Sequence, residues 1–157
     1  MDKAENYKYI LERLRLLLGG PDIIADMANT AALLHTTMGF WWTGFYRVDG
    51  DRLILGPFQG PVACTSIKYG RGVCGTAWKE ARTVIVPDVE QFPGHIACSS
   101  ESRSEIVVPV WRKGQIIAVL DIDSPIPNRF DEIDRMGIEA IAEILTSHVS
   151  QLIKATS

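Results

Sequence analysis

Residues 104–123, SEIVVPVWRKGQIIAVLDID, contain two runs of strand-forming residues separated by a turn signal at residues 113–114. Valine, isoleucine and tryptophan favour extended backbone, and a short glycine-containing connection is typical of a β-hairpin. The runs Ser104–Arg112 and Gln115–Asp123 are almost continuously apolar, which predicts buried strands. Because proline cannot donate a ladder hydrogen bond, Pro109 predicts a bulge or an unpaired side in the first strand.

The flanking segments extend this pattern in both directions. Residues 40–48 and 52–56 surround an Asp-Gly-Asp turn signal and predict a second antiparallel hairpin. Two short strands are expected at residues 65–69 and 83–86, with a short helix up to Arg82 between them. Apolar residues at helical spacing predict three further helices: one after the Asp2 cap and ending at Gly19-Gly20, one with Pro21 and Asp22 in its first turn and ending at Gly39, and one from Phe130-Asp131 almost to the C-terminus.

This order of elements predicts the fold class. Two helices, a hairpin, isolated strands around a short helix, a long loop from Pro87 to Arg103, a hairpin and a final helix describe an α+β domain spanning residues 1–157. We expect a mainly antiparallel central sheet of about six strands, with the N- and C-terminal helices packed on it. The order of the strands does not follow from the sequence.

Composition excludes several classes of protein. A chain of 157 residues with 46% hydrophobic residues can bury a core without disulfides or metals. The net charge of −3 and the absence of a basic stripe argue against a nucleic-acid partner. No secretory signal and no apolar run near ~18 residues is present, so we expect no membrane association and a cytoplasmic location. Three cysteines, an odd number, argue against a structural disulfide framework.

The three cysteines are candidates for thiol chemistry. Cys74 opens the short helix, where the helix dipole and Arg71 are expected to favour a thiolate. Cys98 lies in the long loop, three residues after His95, and loops of this length are often functional. Cys64 fits a small buried hydrophobic residue best. A metal site built from these cysteines and His95 is disfavoured because the spacing lacks the C-x-x-C pairing of structural zinc, so we expect no metal.

Residues 70–75, GRGVCG, match the G-x-G-x-x-G pattern of dinucleotide-binding turns. The helix that follows is too short for such a unit, and Asp88 comes only thirteen residues after the last glycine. The preceding strand is also too polar for the first strand of a buried parallel sheet. We therefore expect no nucleotide cofactor, and a tight turn leading into a helix N-terminus instead.

Seven blocks in order carry a resemblance to a known family. The blocks are WTGFY (42–46), LGPFQG (55–60), AC (63–64), GRGVCG (70–75), GHIAC (94–98), SEIV (104–107) and LDIDS (120–124). With these blocks the chain resembles the free methionine-(R)-sulfoxide reductases, which are stand-alone GAF-domain enzymes, and the resemblance implies a single GAF domain.

The resemblance implies roles for the cysteines. Cys98 is then the nucleophile that attacks the sulfoxide sulfur of free methionine sulfoxide and becomes a sulfenic acid. A second thiol condenses with the sulfenic acid to a disulfide. By this resemblance the resolving thiol is Cys64, with Cys74 as the second or alternative one. A thioredoxin-type dithiol restores the reduced state, and no cofactor is required.

The reaction needs an acid and a binding site for a small amino acid. Glu105 and Asp123 are the candidates that protonate the departing oxygen, because a carboxyl among apolar neighbours has a raised pKa. Asp121 is expected to pair with the substrate ammonium, and Trp42 and Tyr46 to enclose its methyl-sulfur end.

Two other functions stay open at this stage. GAF domains also serve as non-catalytic sensors of small ligands, and fold alone does not decide function. A general peroxide-reactive thiol protein is the second alternative. A homodimer is left open too.

Overall fold

A computed structural model describes the backbone of residues 1–95 and 101–156, and the side chains as far as residue 147 in the last helix. The elements, in chain order, are α1 (Lys3–Leu17), α2 (Ile23–Met38), β1 (Trp42–Asp49), β2 (Arg52–Gln59), β3 (Ser66–Lys68), α3 (Gly72–Glu80), β4 (Val84–Val86), a 3₁₀ turn (Val89–Gln91), β5 (Ser104–Arg112), β6 (Gln115–Ser124) and α4 (Glu132–Thr156).

The strands form one six-stranded sheet in the order β3-β2-β1-β6-β5-β4. All five neighbouring pairs are antiparallel. Helices α1, α2 and α4 contribute to a hydrophobic core with strands β1, β5 and β6. The α+β class, the antiparallel six-stranded sheet and the packing of terminal helices on it are therefore confirmed.

The hairpin of β5 and β6 divides the molecule into two sides. Successive side chains of a strand point to opposite faces of the sheet. On β5 and β6, Ile106, Val108, Leu120 and Ile122 belong to the core that the three long helices cover. Val107 and Val119 belong to a second, smaller core, which helix α3 covers on the opposite face. The same alternation sends Glu105, Asp121 and Asp123 toward the α3 side.

Two prolines lie inside strands, and the sheet accommodates both. Pro109 pairs in register with Val119 of β6, while on its other side β4 reaches only as far as Val107. The predicted unpaired side is thus confirmed. Strand β2 runs to Gln59, beyond the predicted end at Gly56, because a register shift opposite Phe45 accommodates the Gly56-Pro57 step.

The helix ends largely follow the sequence signals. The Asp2 side chain accepts a hydrogen bond from the Glu5 amide at 2.8 Å and caps α1. Asp22 is the N-cap of α2 and not part of its first turn, as its side chain accepts from the Ala25 amide at 2.9 Å. The predicted loop from Pro87 to Arg103 contains the 3₁₀ turn, which its sequence did not reveal.

A buried carboxyl joins the first and last helices. Asp134, fully buried near the start of α4, accepts hydrogen bonds from the Tyr7 hydroxyl at 2.6 Å, the Lys3 ammonium at 2.7 Å and the Asp131 amide at 2.9 Å. Gly137, one turn further, has no Cβ, and the Tyr7 ring occupies the space that a Cβ would fill. The N-terminal helix is thus fixed to α4 by specific polar contacts as well as by packing.

Within residues 1–95 and 101–156, no helix has both the length and the hydropathy that crossing a bilayer requires.

We expect Tyr7→Phe to lower the free energy of unfolding by about 2 kcal/mol, because hydrogen bonds to charged groups contribute about 1.5–3 kcal/mol and the Asp134 carboxyl stays buried. Urea denaturation measures the change. The matched variant Tyr9→Phe, at a position that is 39% exposed, should change it by less than about 0.5 kcal/mol. Equal effects of the two variants would contradict the role given to the Tyr7 hydroxyl.

Candidate active site

A pocket of about 600 Å³, counting its open mouth, lies on the α3 side of the sheet. Three carboxyl groups and a thiol form its base, and aromatic rings form one wall. The remaining lining comes from the segment before β3, the first turn of α3 and the loop before β5. Its lining residues are Trp41, Trp42, Tyr46, Val62, Ala63, Ile67, Arg71, Gly72, Val73, Cys74, His95, Ser102, Glu105, Asp121 and Asp123.

Strand register brings the three carboxyl groups together. Glu105 of β5 lies directly opposite Asp123 of β6, and Asp121 lies two residues earlier on β6, on the same face. Strand β1 flanks them on the other side, with Trp42 opposite Asp123. The Ser102 hydroxyl donates to Asp123 at 3.2 Å. The three acidic residues predicted from the sequence therefore share one pocket.

Burial is the main cause of the pKa shifts of these three carboxyl groups. Glu105 and Asp121 are 6% and 4% exposed, and Asp123 is half-buried. Desolvation, followed by the negative charge of Asp121, raises the pKa of both Glu105 and Asp123 well above the ordinary carboxyl range. Desolvation also raises the pKa of Asp121, but hydrogen bonds from Glu105, Cys74 and Asp123 oppose this shift. Asp121 is thus the carboxyl that ionises first as pH rises, and Glu105 and Asp123 keep their protons to higher pH.

Asp121 also carries an unpaired acceptor. Its Oδ1 is buried and has no hydrogen-bond partner among the described residues. A buried carboxyl oxygen without a donor costs free energy, so this atom is prepared for a donor from a bound molecule.

Cys74 corrects one expectation from the sequence. It lies in the first turn of α3, as predicted, but it is a buried free thiol that is 4% exposed. Its Sγ is 4.0 Å from Oε2 of Glu105. Desolvation, followed by the negative charge of Asp121, raises the pKa of Cys74 well above its ordinary value. The helix dipole and Arg71 therefore do not produce the thiolate that the sequence predicted.

The sulfur of Cys74 and one oxygen each of Glu105 and Asp121 lie within 4.8 Å of one another. This set differs from the cysteine and His95 set that the sequence analysis considered for a metal. It is the only grouping of three such ligands within the described residues.

The aromatic wall is a stack of three rings from β1 and β2. Trp42 stacks on Phe58 with ring centroids 5.3 Å apart, and on Tyr46 with centroids 6.0 Å apart. Gly44 lies between Trp42 and Tyr46 on the same face. A Cβ there would lie 2.7 Å from the Trp42 ring and against the Phe58 Cβ. The stack therefore depends on glycine at position 44.

Cys64 directly follows Ala63, a residue that lines the pocket. Cys64 is half-buried and disulfide-bonded, so it is not the small core residue that its sequence neighbours favoured. The Tyr46 hydroxyl donates to the Cys64 carbonyl at 2.9 Å. His95 lines the pocket, where desolvation lowers its pKa against the opposing charge of Asp121. Cys98 lies outside the described residues.

Sequence reasoning missed three contributors to the site. Ser102 had no signal, because it lies in a loop with no periodic pattern. Gly44 had a weak signal, because Trp42 and Tyr46 flank it on the same face of a predicted strand. Phe58 had none, because it lies beyond the predicted end of its strand at Gly56.

Comparison with known proteins agrees with this geometry. Residues 22–150 match the model of the GAF domain family. A protein named GAF domain-containing protein A from Dictyostelium discoideum is 54% identical over 91% of this chain and 92% of its own length. A free methionine-R-sulfoxide reductase from Escherichia coli is 45% identical over 90% of this chain and 87% of its own length. The chain belongs to the free methionine-R-sulfoxide reductase family.

A solved structure supports the same assignment to the free methionine-R-sulfoxide reductases. The enzyme of this family from Neisseria meningitidis, solved in complex with its substrate, superposes with a TM-score of 0.93. It is 47% identical, and the alignment covers 99% of this chain and 95% of that protein. The chain is accordingly an oxidoreductase with the GAF fold, and the resemblance stated from the seven sequence blocks is confirmed.

The acid cluster predicts how stability depends on pH. A carboxyl whose pKa is higher in the folded than in the unfolded state favours folding below its unfolded pKa, near 4, and this contribution is lost as pH rises through the folded pKa. Glu105→Gln removes one such group. We therefore expect the unfolding free energy of the variant, relative to the wild type, to increase between pH 5 and pH 8 by at least about 1 kcal/mol.

Urea denaturation at several pH values measures this difference. Glu12→Gln, at an exposed position of α1, is the matched control and should parallel the wild type throughout. Parallel curves for Glu105→Gln and the wild type would show that the folded-state pKa of Glu105 is not raised.

Proposed function

We propose that this chain reduces free methionine (R)-sulfoxide to methionine, with Cys98 as the nucleophile. The observation that carries the proposal is the pocket in which protonated carboxyls, an unpaired carboxyl oxygen and an aromatic wall converge, in a chain of this enzyme family. Such a pocket offers a proton, a cation partner and a soft apolar surface, which are the three things that a small sulfoxide-bearing amino acid requires.

In the first step the Cys98 sulfur attacks the sulfoxide sulfur, and the oxygen passes to Cys98. Methionine leaves as the thioether, its sulfur reduced by two electrons, and Cys98 becomes a sulfenic acid, oxidised by two electrons. Proton delivery to the sulfoxide oxygen assists the attack. The raised pKa of Glu105 and of Asp123 supports a protonated carboxyl there near neutral pH.

Substrate recognition divides between the base and the wall of the pocket. The ammonium group of the amino acid pairs with Asp121, whose Oδ1 has no donor within residues 1–95 and 101–147. The methyl-sulfur end packs on Trp42 and Tyr46, which are 3% and 2% exposed and belong to the stacked wall. A peptide-bound methionine sulfoxide has no free ammonium at this position, so Asp121 favours the free amino acid.

In the second step a thiol attacks the sulfenic acid, a disulfide forms, and the oxygen leaves as water. We assign this role to Cys64. Its disulfide-bonded state supports the assignment. Cys74 is less suited because burial and the neighbouring carboxyls raise its pKa, and the thiolate is the attacking species. A thioredoxin-type dithiol in the cytoplasm then reduces the disulfide.

The cysteine variants test these roles. We expect Cys98→Ser to abolish consumption of free methionine sulfoxide with either thioredoxin or dithiothreitol, since no other thiol replaces the nucleophile. Cys64→Ser should lose mainly the thioredoxin-supported turnover, because a small dithiol reduces a sulfenic acid directly. Methionine release is the measured quantity.

Cys74→Ser is the matched control for loss of a thiol in the same pocket, and it should retain thioredoxin-supported turnover. Full activity of Cys98→Ser would refute the assignment. Binding of methionine sulfoxide without any turnover by the wild type would instead make the chain a ligand-sensing GAF module. Peroxide consumption that methionine sulfoxide does not inhibit would favour a general peroxide-reactive thiol.

The substrate class is tested with separated epimers. We expect consumption of the free (R) epimer, little or none of the free (S) epimer, and no reduction of a sulfoxide-containing peptide. Turnover of each is followed by release of the thioether form. Efficient reduction of the peptide would contradict the pairing of Asp121 with a free ammonium.

A further inference from the structure

Residues 60–64 lie between β2 and β3 without helix or strand and are here named the Cys64 segment; two of them, Val62 and Ala63, line the pocket. Two side chains of the aromatic wall hold this segment by hydrogen bonds to its backbone. Trp42 Nε1 donates to the Pro61 carbonyl at 2.9 Å, and the Tyr46 hydroxyl donates to the Cys64 carbonyl at 2.9 Å. Val62, between these two points, is 89% exposed.

The path of the segment is also fixed sterically. Gly60 has a φ of +129° and approaches the wall so closely that a Cβ would lie 2.8 Å from both the Trp41 carbonyl oxygen and Trp42 Cδ1. Only glycine adopts this backbone conformation readily. The segment therefore begins against the edge of the Trp42 ring and ends at the Tyr46 hydroxyl.

The hydrogen bond from the Tyr46 hydroxyl to the Cys64 carbonyl is protected from water. Both side chains that hold the segment are almost fully buried, so water does not compete effectively for their donors. Burial raises the pKa of Tyr46, which keeps its hydroxyl protonated and able to donate. The bond is present while Cys64 is disulfide-bonded, which corresponds to the product of the resolving step.

We infer that Tyr46 is a positioning residue for the resolving cysteine: its hydroxyl holds the Cys64 carbonyl so that the thiol is presented to the sulfenic acid. This inference rests on the proposed function and assigns Tyr46 a second role. The face of its ring contacts the substrate region, and its hydroxyl fixes the group that acts next. The same residue thereby links substrate binding to disulfide formation.

Single-turnover kinetics of Tyr46→Phe test the inference. The reduced protein is mixed with free methionine (R)-sulfoxide, and methionine release and disulfide formation are measured as separate rates by chemical quench. We expect the ratio of the disulfide rate to the methionine-release rate to fall about fivefold, the effect of losing one hydrogen bond. Capture of the sulfenic acid by dimedone should rise correspondingly. A purely structural effect of the substitution would lower the melting temperature without changing this ratio.

Tyr69→Phe is the matched control, because Tyr69 is 47% exposed and packs on Trp78 outside the pocket lining. The ratio of the disulfide rate to the methionine-release rate in Tyr69→Phe should equal that of the wild type. Gly60→Ala displaces the Cys64 segment from its other end and should reduce the ratio as well. If Tyr46→Phe does not fold, the ratio measured for Gly60→Ala tests the positioning role in its place.

The outcomes separate the two proposals. A wild type that releases no methionine refutes the proposed function. Normal methionine release with an unchanged ratio in Tyr46→Phe, or in Gly60→Ala where the first variant does not fold, overturns the positioning role and leaves the proposed function intact.

Discussion

The pairing of β5 with β6 sets Glu105 directly opposite Asp123, with Asp121 beside them, and the site depends on this register. Three carboxyl groups in one buried pocket repel each other when ionised and lose hydration, so the fold tolerates them only because protons are retained. The hydrophobic core on the opposite face, which α1, α2 and α4 cover, supplies stability that offsets this cost. The face of the sheet that α1, α2 and α4 cover thus contains the larger hydrophobic core, and the opposite face contains the acidic pocket.

The aromatic wall has two functions in this arrangement. The stack of Phe58, Trp42 and Tyr46 gives the pocket an apolar side above its acidic base. Trp42 Nε1 and the Tyr46 hydroxyl donate to the Pro61 and Cys64 carbonyls. Trp and Tyr commonly use the ring for one contact and the heteroatom for another, and here these two side chains join the pocket to the Cys64 segment.

Local patterns in the sequence predicted most of the fold. Periodicity, the Asp2 cap and the two turn signals located the helices and the hairpins, and Pro109 indicated a bulge or an unpaired side. Asp22 was expected in the first turn of α2 and is its N-cap instead. Strand β2 was predicted to end at Gly56 but continues to Gln59, because the register shift opposite Phe45 makes room for Pro57. Strand order depends on contacts between distant residues, which local pattern does not encode.

For the site, as for the fold, the sequence indicated what local patterns encode and missed what depends on contacts between distant residues. Family resemblance and the cost of burying acids among apolar neighbours indicated Asp121, Asp123 and Glu105 as site residues, and the three line one pocket. The thiolate predicted at Cys74 was wrong, because its position at a helix N-terminus is visible in the sequence whereas the carboxyls brought beside it by β5 and β6 are not. The geometry around Tyr46 and Gly60 was equally hidden, since it depends on how a loop without periodicity lies against a strand.

The outermost strands, β3 and β4, are only three residues long. An unpaired strand edge is a template on which other polypeptides add by main-chain hydrogen bonding, and short edges offer few such bonds. This sheet is therefore a poor seed for fibrils or for edge-to-edge aggregation. An enzyme that acts on oxidised methionine meets conditions that damage and unfold other proteins, and such edges limit its co-aggregation with them.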